Sequence, residues 1–173
     1  MPATSRTARA AALALAGLGL TASALVTTAQ PATAASGGDD RAQTRTAAQR
    51  VSARVVGAKD IAMRQRGDAY AYGGAGPDRF DCSGLVFYSF RRAGFPVPRT
   101  SGAQAGFTRR IAKKDMRSGD LMFFTGSGGV YHAAIFLKWS HGHAVMVHSP
   151  GSGQRVRVAV PWTSSWFGGT LRR

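Results

Sequence analysis

Apolar positions follow two regimes along this chain. Between residues 55 and 92 they recur at roughly helical spacing. Val55, Val56, Ile61, Ala62 and Met63 lead to Gln65, and Gly67 stops the run. From Cys82 a broader stripe of Leu85, Val86, Phe87, Tyr88 and Phe90 runs into Arg91 and Arg92, with Gly94 and Pro96 just beyond. Basic residues in a last turn followed by Gly and Pro are helix stop signals, so both stretches predict helices. Past residue 119 the pattern changes to short apolar runs at residues 120–124, 130–137, 143–149 and 155–160, separated by Gly-rich or polar turns. That spacing predicts an antiparallel meander. The last run alternates, which makes it an edge strand with Arg155 and Arg157 facing solvent. Between the regimes, residues 69–78 read as an ordered Gly-rich loop, and residues 96–106 as a loop with one short helical turn at 101–105. Helices first and strands after predict an α+β domain, its N-terminal helices packed on a small antiparallel β-sheet.

The beginning of the chain has a different character. Arg6 and Arg9, with no acid nearby, precede a run of mostly small apolar residues, and Ala32 and Ala34 meet the small-x-small rule for cleavage. The run is interrupted by Gly17, Gly19, Thr21 and Ser23 and falls short of the roughly 18–20 residues that span a bilayer. Residues 1–35 are therefore expected to be a signal peptide cut after Ala34 or Ala35, which implies a secreted or cell-wall-associated protein with no stable membrane anchor after processing. Residues 36–54 read as a basic linker or helix start, and residues 55–173 as one domain.

Composition sharpens this. The chain has 23 Lys+Arg against 8 Asp+Glu, a formal charge of +15. For an exported protein the available counter-charges are anionic cell-wall polymers and carboxylate-bearing wall peptides, not nucleic acid. Every acid is Asp, which disfavours a coupled-carboxylate hydrolase. The chain has 1 Cys, so Cys82 cannot form an internal disulfide; an exported lone thiol is either buried and inert or kept for its reactivity. Cys82 follows Asp81 at a predicted helix start, where orphan N–H groups and the positive end of the dipole favour a thiolate, and Asp81 reads first as a helix cap. A cysteine nucleophile needs a base, itself oriented by a third group. His132 lies in one predicted strand among apolar residues, and His148 ends the next, so adjacent antiparallel strands can bring both rings to one face. His141 and His143, in the connection between those strands, read as solvated. Taken singly, the cysteine fits a buried structural role as well as a reactive one, and for each histidine a core or surface role outweighs a functional one. There is no paired-Cys spacing and no HExxH helix, so neither a metal site nor any cofactor is expected.

Together the motifs GDAYAYGGAGPDRFDCSGLVFYSF, PRTSGAQ, SGDLMFF, YHAAIFL and MVHSP resemble, in order and approximate spacing, the NlpC/P60 family of papain-like secreted cysteine peptidases. The likeness covers about residues 55–160. It implies Cys82 as nucleophile, His132 as general base and then acid, and His148 as the residue orienting that imidazole. It implies Tyr70 near the oxyanion beside the backbone N–H of Cys82, Asp81 and Ser83 lining the site, and Arg99 and Gln104 beside the cleft without a catalytic role. The implied reaction is hydrolysis of an amide bond in peptidoglycan stem peptides, between D-glutamate and the following diamino acid. The stretch KWSHGH between the two histidine strands is longer than in compact relatives, so the register joining His132 to His148 rests on inference. The same residues are compatible with an acyltransferase or amidase acting on another substrate, or with a non-catalytic basic cell-wall-binding protein.

Overall fold

Helix α1 spans Gly37–Arg64, so the segment read as a linker or helix start continues without a break into the expected first helix. The computed structural model describes residues 37–172, with side chains from residue 43 onward; the expected signal segment and its cleavage point lie outside the described residues. Residues 43–50 of α1 are exposed throughout. Lower down, Val55, Ala58 and Ala62 are buried, whereas Val56, counted in the predicted stripe, is 36% exposed. The face that packs is set by the i, i+3, i+7 spacing, and Val56 lies one step off it.

Two residue pairs, β1 (Ala69–Tyr70) and β2 (Arg79–Phe80), lie parallel and close the Gly-rich loop between them. Helix α2 (Cys82–Arg92) follows at once, then α3 (Ser101–Phe107). The main sheet contains β3 (Arg109–Ile111), β4 (Leu121–Gly126), β5 (Gly129–Ser140), β6 (His143–His148), β7 (Arg157–Ala159) and β8 (Trp166–Thr170), in the order β3-β8-β4-β5-β6-β7. The predicted meander is present as β4 to β7, with β7 at an edge and Arg155 and Arg157 exposed.

Strand β4 is central, and its LMFF run is buried on both faces because two cores flank it. Leu121 and Phe123 join Val55, Ala58, Leu85, Phe90 and Ile135 under the helices. Met122 and Phe124 join Ala134, Phe136, Met146 and Trp166 on the other face.

The sequence pattern misses β3 and β8. Strand β8 returns past the meander to pair antiparallel with β4 on one side and β3 on the other. Its Gly168 and Gly169 leave room for Met116, Thr108 and Phe123, which a Cβ at either position would strike. The close approach that makes the strand is what removes the apolar pattern that would announce it. The connection between the histidine strands also differs from expectation. Strand β5 continues to Ser140, β6 begins at His143, and His141 (φ 49°) with Gly142 (φ 79°) forms a two-residue turn of the I′ kind, whose twist matches a hairpin. A bulge between Phe136 and Lys138 absorbs the extra residue, so KWSHGH is an extended ladder and not a loop.

Candidate active site

The site begins with a helix cap. Asp81 has extended backbone (φ −89°, ψ −179°) and caps α2, its Oδ1 accepting from Gly84 N at 2.6 Å. Oδ2 accepts from Gly73 N at 2.9 Å, and Arg99 donates to both oxygens, Nη1 to Oδ1 at 3.0 Å and Nη2 to Oδ2 at 2.6 Å. Burial raises the Asp81 pKa, but the Arg99 hydrogen bond, the Gly84 N–H, the Arg99 charge and the Gly73 N–H outweigh it and hold the carboxyl below its ordinary value. Arg99 also donates to Ser83 Oγ at 3.0 Å and to Gly74 O at 3.1 Å, so one guanidinium ties the Gly-rich loop to the first turn of α2. Gly84 allows the loop this close, since a Cβ there would collide with the Gly74 carbonyl oxygen. Gln104 is fully buried and donates from Nε2 to Ser83 O and Pro98 O, both at 2.9 Å, fastening α3 to the same turn.

Cys82, the first residue of α2, is partly exposed and lies in a groove of about 430 Å³ with Tyr70, Tyr72, Ser83, Arg99 and Tyr131. Backbone N–H groups of Ala133, Ser83 and Cys82 favour the anion, as the helix-start position predicts. Burial is nonetheless the largest influence and the Asp81 charge adds to it, so the thiol pKa lies above its ordinary value. The expectation that position alone makes a resting thiolate is thereby corrected: desolvation exceeds what the helix end supplies. Tyr70 is brought to the groove by the β1–β2 pairing. Burial and the neighbouring Cys82, Asp81 and Tyr72 all raise its hydroxyl pKa, keeping it a donor.

Cys82 shares its groove with Tyr131 of β5, the residue before His132, and the Ala133 N–H of the same strand favours the sulfur anion. The β5–β6 register sets Ile135 opposite Val147. Counting back, His148 falls opposite Ala134 and His132 lies on the diagonal, within ring reach. Their rings meet edge-on with His132 Nε2 and His148 Nδ1 3.0 Å apart. Both are buried, at 5% and 2% exposure, and His148 Nε2 has no hydrogen-bond partner among the described residues. Burial, then His148, lowers the His132 pKa against a smaller upward pull from Asp81; burial, then Arg157, lowers that of His148. Both imidazoles are therefore neutral near pH 7. His141 and His143 are exposed, away from this pair.

Sequence reasoning misses Trp162. Its indole stacks on Phe124 at 4.5 Å between centroids, meets His132 edge-on at 5.1 Å and lies over His148 at 5.7 Å. Nε1 donates to Tyr131 Oη at 3.3 Å. The ring covers the histidine pair and helps to dry it, yet the surrounding PWTSSW has no periodicity to mark such a role.

The arrangement offers a nucleophilic sulfur, a neutral base held by a second ring, and donors around the sulfur. A family model described as the NlpC/P60 family matches residues 67–172. The chain belongs to the NlpC/P60 family. The α+β architecture is that of the papain-like NlpC/P60 domains. Over 92 residues the chain is 41% identical to the probable endopeptidase p60 of Listeria monocytogenes, a match spanning 53% of this chain and 18% of that protein. Over 96 residues it is 41% identical to the bifunctional muramidase/DL-endopeptidase CwlT of Bacillus subtilis, spanning 53% and 28% respectively. Among solved structures, the P60 domain of an antigen from M. avium subspecies paratuberculosis superposes with a TM-score of 0.60 at 29% identity, covering 69% of this chain and 96% of that one. The chain thus spans less than a third of the length of these two relatives but nearly all of the isolated domain.

Proposed function

We propose that this protein is an exported cysteine endopeptidase that hydrolyses peptidoglycan stem peptides, with Cys82 as nucleophile, His132 as base and His148 as its orienting partner. The observation that carries the reading is the 3.0 Å contact between His132 Nε2 and His148 Nδ1, in a buried pair that follows Tyr131, which lines the Cys82 groove. The relatives' names, endopeptidase and DL-endopeptidase, point to the same reaction class, and the D-glutamyl to diamino acid bond is the one we assign. Export rests on residues 1–35 read as a signal peptide cut after Ala34 or Ala35. The wall is then both the substrate and the counter-charge for the processed chain, whose formal charge without Arg6 and Arg9 is +13.

For His132 to take the thiol proton at Nδ1, Nε2 must carry the hydrogen it shares with His148. That sets the His148 proton on its own Nε2, the buried atom without a partner among the described residues. Because burial favours the neutral thiol and the neutral imidazole, proton transfer accompanies attack on the scissile carbonyl and does not precede it. The oxyanion that forms meets the Cys82 backbone N–H and the Tyr70 hydroxyl. The imidazolium then protonates the leaving amine, giving a thioester at Cys82. Water, deprotonated by the same ring, attacks that thioester, releases the carboxylic acid and restores the thiol. Asp81 and Ser83 shape the wall of the groove, with Asp81 already occupied in capping α2 and holding Arg99.

Mass spectrometry of stem peptides incubated with wild type and with Cys82→Ala tests this. New amine termini at the D-glutamyl bond with wild type alone are the expected result. Equal profiles from both proteins would overturn the mechanism, and products cut at another bond would overturn the substrate assignment.

A further inference from the structure

All 3 tryptophans of the chain line a second groove, of about 390 Å³. Trp139 comes from the long β5 arm, Trp166 from the start of β8, and Trp162 from the connection before it. Trp139 and Trp166 are 6.4 Å apart between centroids, and Phe124 links Trp166 to the stacked Trp162. Trp139 is 41% exposed and Trp162 55%. The fold does not require two such exposed tryptophans at one concavity. The rim is polar, with Lys113, His143, Thr163 and Ser164.

This composition selects among ligands. An aromatic cage for a quaternary ammonium is disfavoured, because the Lys113 ammonium already lies 4.2 Å from the Trp166 ring centroid while donating to Ser164 O at 2.7 Å. A purely apolar peptide side chain would leave the polar rim unused. A pyranose suits both parts: its C–H face meets the electron-rich indole face, and its hydroxyl and acetamido groups reach the rim. Position narrows the choice further. Tyr131 lines the Cys82 groove, Trp162 lines this one, and the 3.3 Å hydrogen bond between them forms the ridge the two grooves share. A ligand crossing that ridge would place a sugar on one side and a peptide on the other, which is how stem peptides hang from a glycan strand.

We propose that the tryptophan groove is a saccharide subsite, holding an N-acetylated pyranose of the glycan strand to which the scissile stem peptide is attached. The identity of the polymer rests on the peptidase reading; the saccharide site itself rests on the groove. The test is titration of the full chain with peptide-free chitotetraose, monitored by tryptophan fluorescence and by the indole N–H resonances. Saturable change with a dissociation constant below about 10 mM, with shifts concentrated on the three indoles, is the expected result. Trp139→Ala should weaken binding at least about fivefold while Trp139→Phe retains most of it, since stacking needs an aromatic face. No saturation by about 10 mM, or indole resonances that stay in place, would overturn the proposal. The wild-type resonances decide the matter even if Trp139→Ala does not fold. Cleavage of a free stem peptide is measured in parallel. Saccharide binding without cleavage sinks the peptidase reading and leaves the subsite, and cleavage without saccharide binding does the reverse.

Discussion

Replacing Asp81 with Asn removes a charge and almost no volume, so the cost is set by the hydrogen bonds that the carboxylate accepts. The amide oxygen can keep the place of Oδ1 and go on capping Gly84 N, now held at 2.6 Å. Its NH2 group then takes the place of Oδ2, where it faces two donors, Gly73 N and Arg99 Nη2, now at 2.9 and 2.6 Å from a carboxylate oxygen. Hydrogen bonds to charged groups are worth about 1.5–3 kcal/mol each, and an orphaned buried donor costs about 1–3 kcal/mol. Arg99 is 33% exposed while Asp81 is 11% exposed, so water recovers part of the ion pair and the smaller end applies. We expect a loss of about 2–4 kcal/mol at pH 7, or a fall of roughly 6–12 °C in Tm at about 3 °C per kcal/mol. The effect carries a pH signature. The folded-state pKa of Asp81 is depressed below 3.8, so the carboxylate's contribution is complete above that value and disappears as the pH falls through the lower, folded-state pKa. The Asn variant has nothing to lose there, and the gap between the two proteins should narrow as the pH falls below 3.8. Urea unfolding monitored by circular dichroism at pH 7, 5, 4 and 3 measures it. A gap below about 0.5 kcal/mol at pH 7, within the range of ordinary surface substitutions, would refute the account. A gap that stays constant down to the acid end would do the same.

Iodoacetamide labelling of Cys82 should keep accelerating as pH rises past about 8.5 and show no plateau near neutrality, because burial raises the thiol pKa; a plateau by pH 6–7 would reveal a resting thiolate and reverse the sign assigned here. Gly84→Ala should drive the Gly74 carbonyl away from α2 and cost about 1–3 kcal/mol by overpacking, with stem-peptide cleavage reduced more than overall fold content; near-wild-type melting and turnover would show that the loop yields freely. Arg172→Ala should cost about 3–5 kcal/mol, since among the described residues it leaves the Asp120 carboxylate, 1% exposed, with only the Thr170 hydroxyl and the Arg117 N–H. The double variant Arg172→Met with Asp120→Asn should recover part of that loss in the same unfolding assay.

Local signals carried much of this molecule. The helix beginning at Cys82 was legible because its apolar stripe, cap and basic last turn all lie between Asp81 and Arg92 and need no distant partner. The strands from β4 to β7 were legible for the same reason, each being a short apolar run bounded by turn residues. What the tertiary structure decided lies where distant segments meet. Strand β8 exists because glycines admit Met116, Thr108 and Phe123, and a residue chosen for its absence of side chain leaves no hydrophobic mark. The diagonal that joins His132 to His148 depends on a bulge and a two-residue turn, neither of which the alternation of KWSHGH declares. Trp162 covers those rings from a segment with no periodicity. The charge state of Cys82 was misjudged because a helix end is a local property, whereas desolvation sums over everything that packs around the sulfur. Sequence by itself determined which chemical groups are available and which short elements present them; burial, a collective and long-range quantity, decided what those groups do.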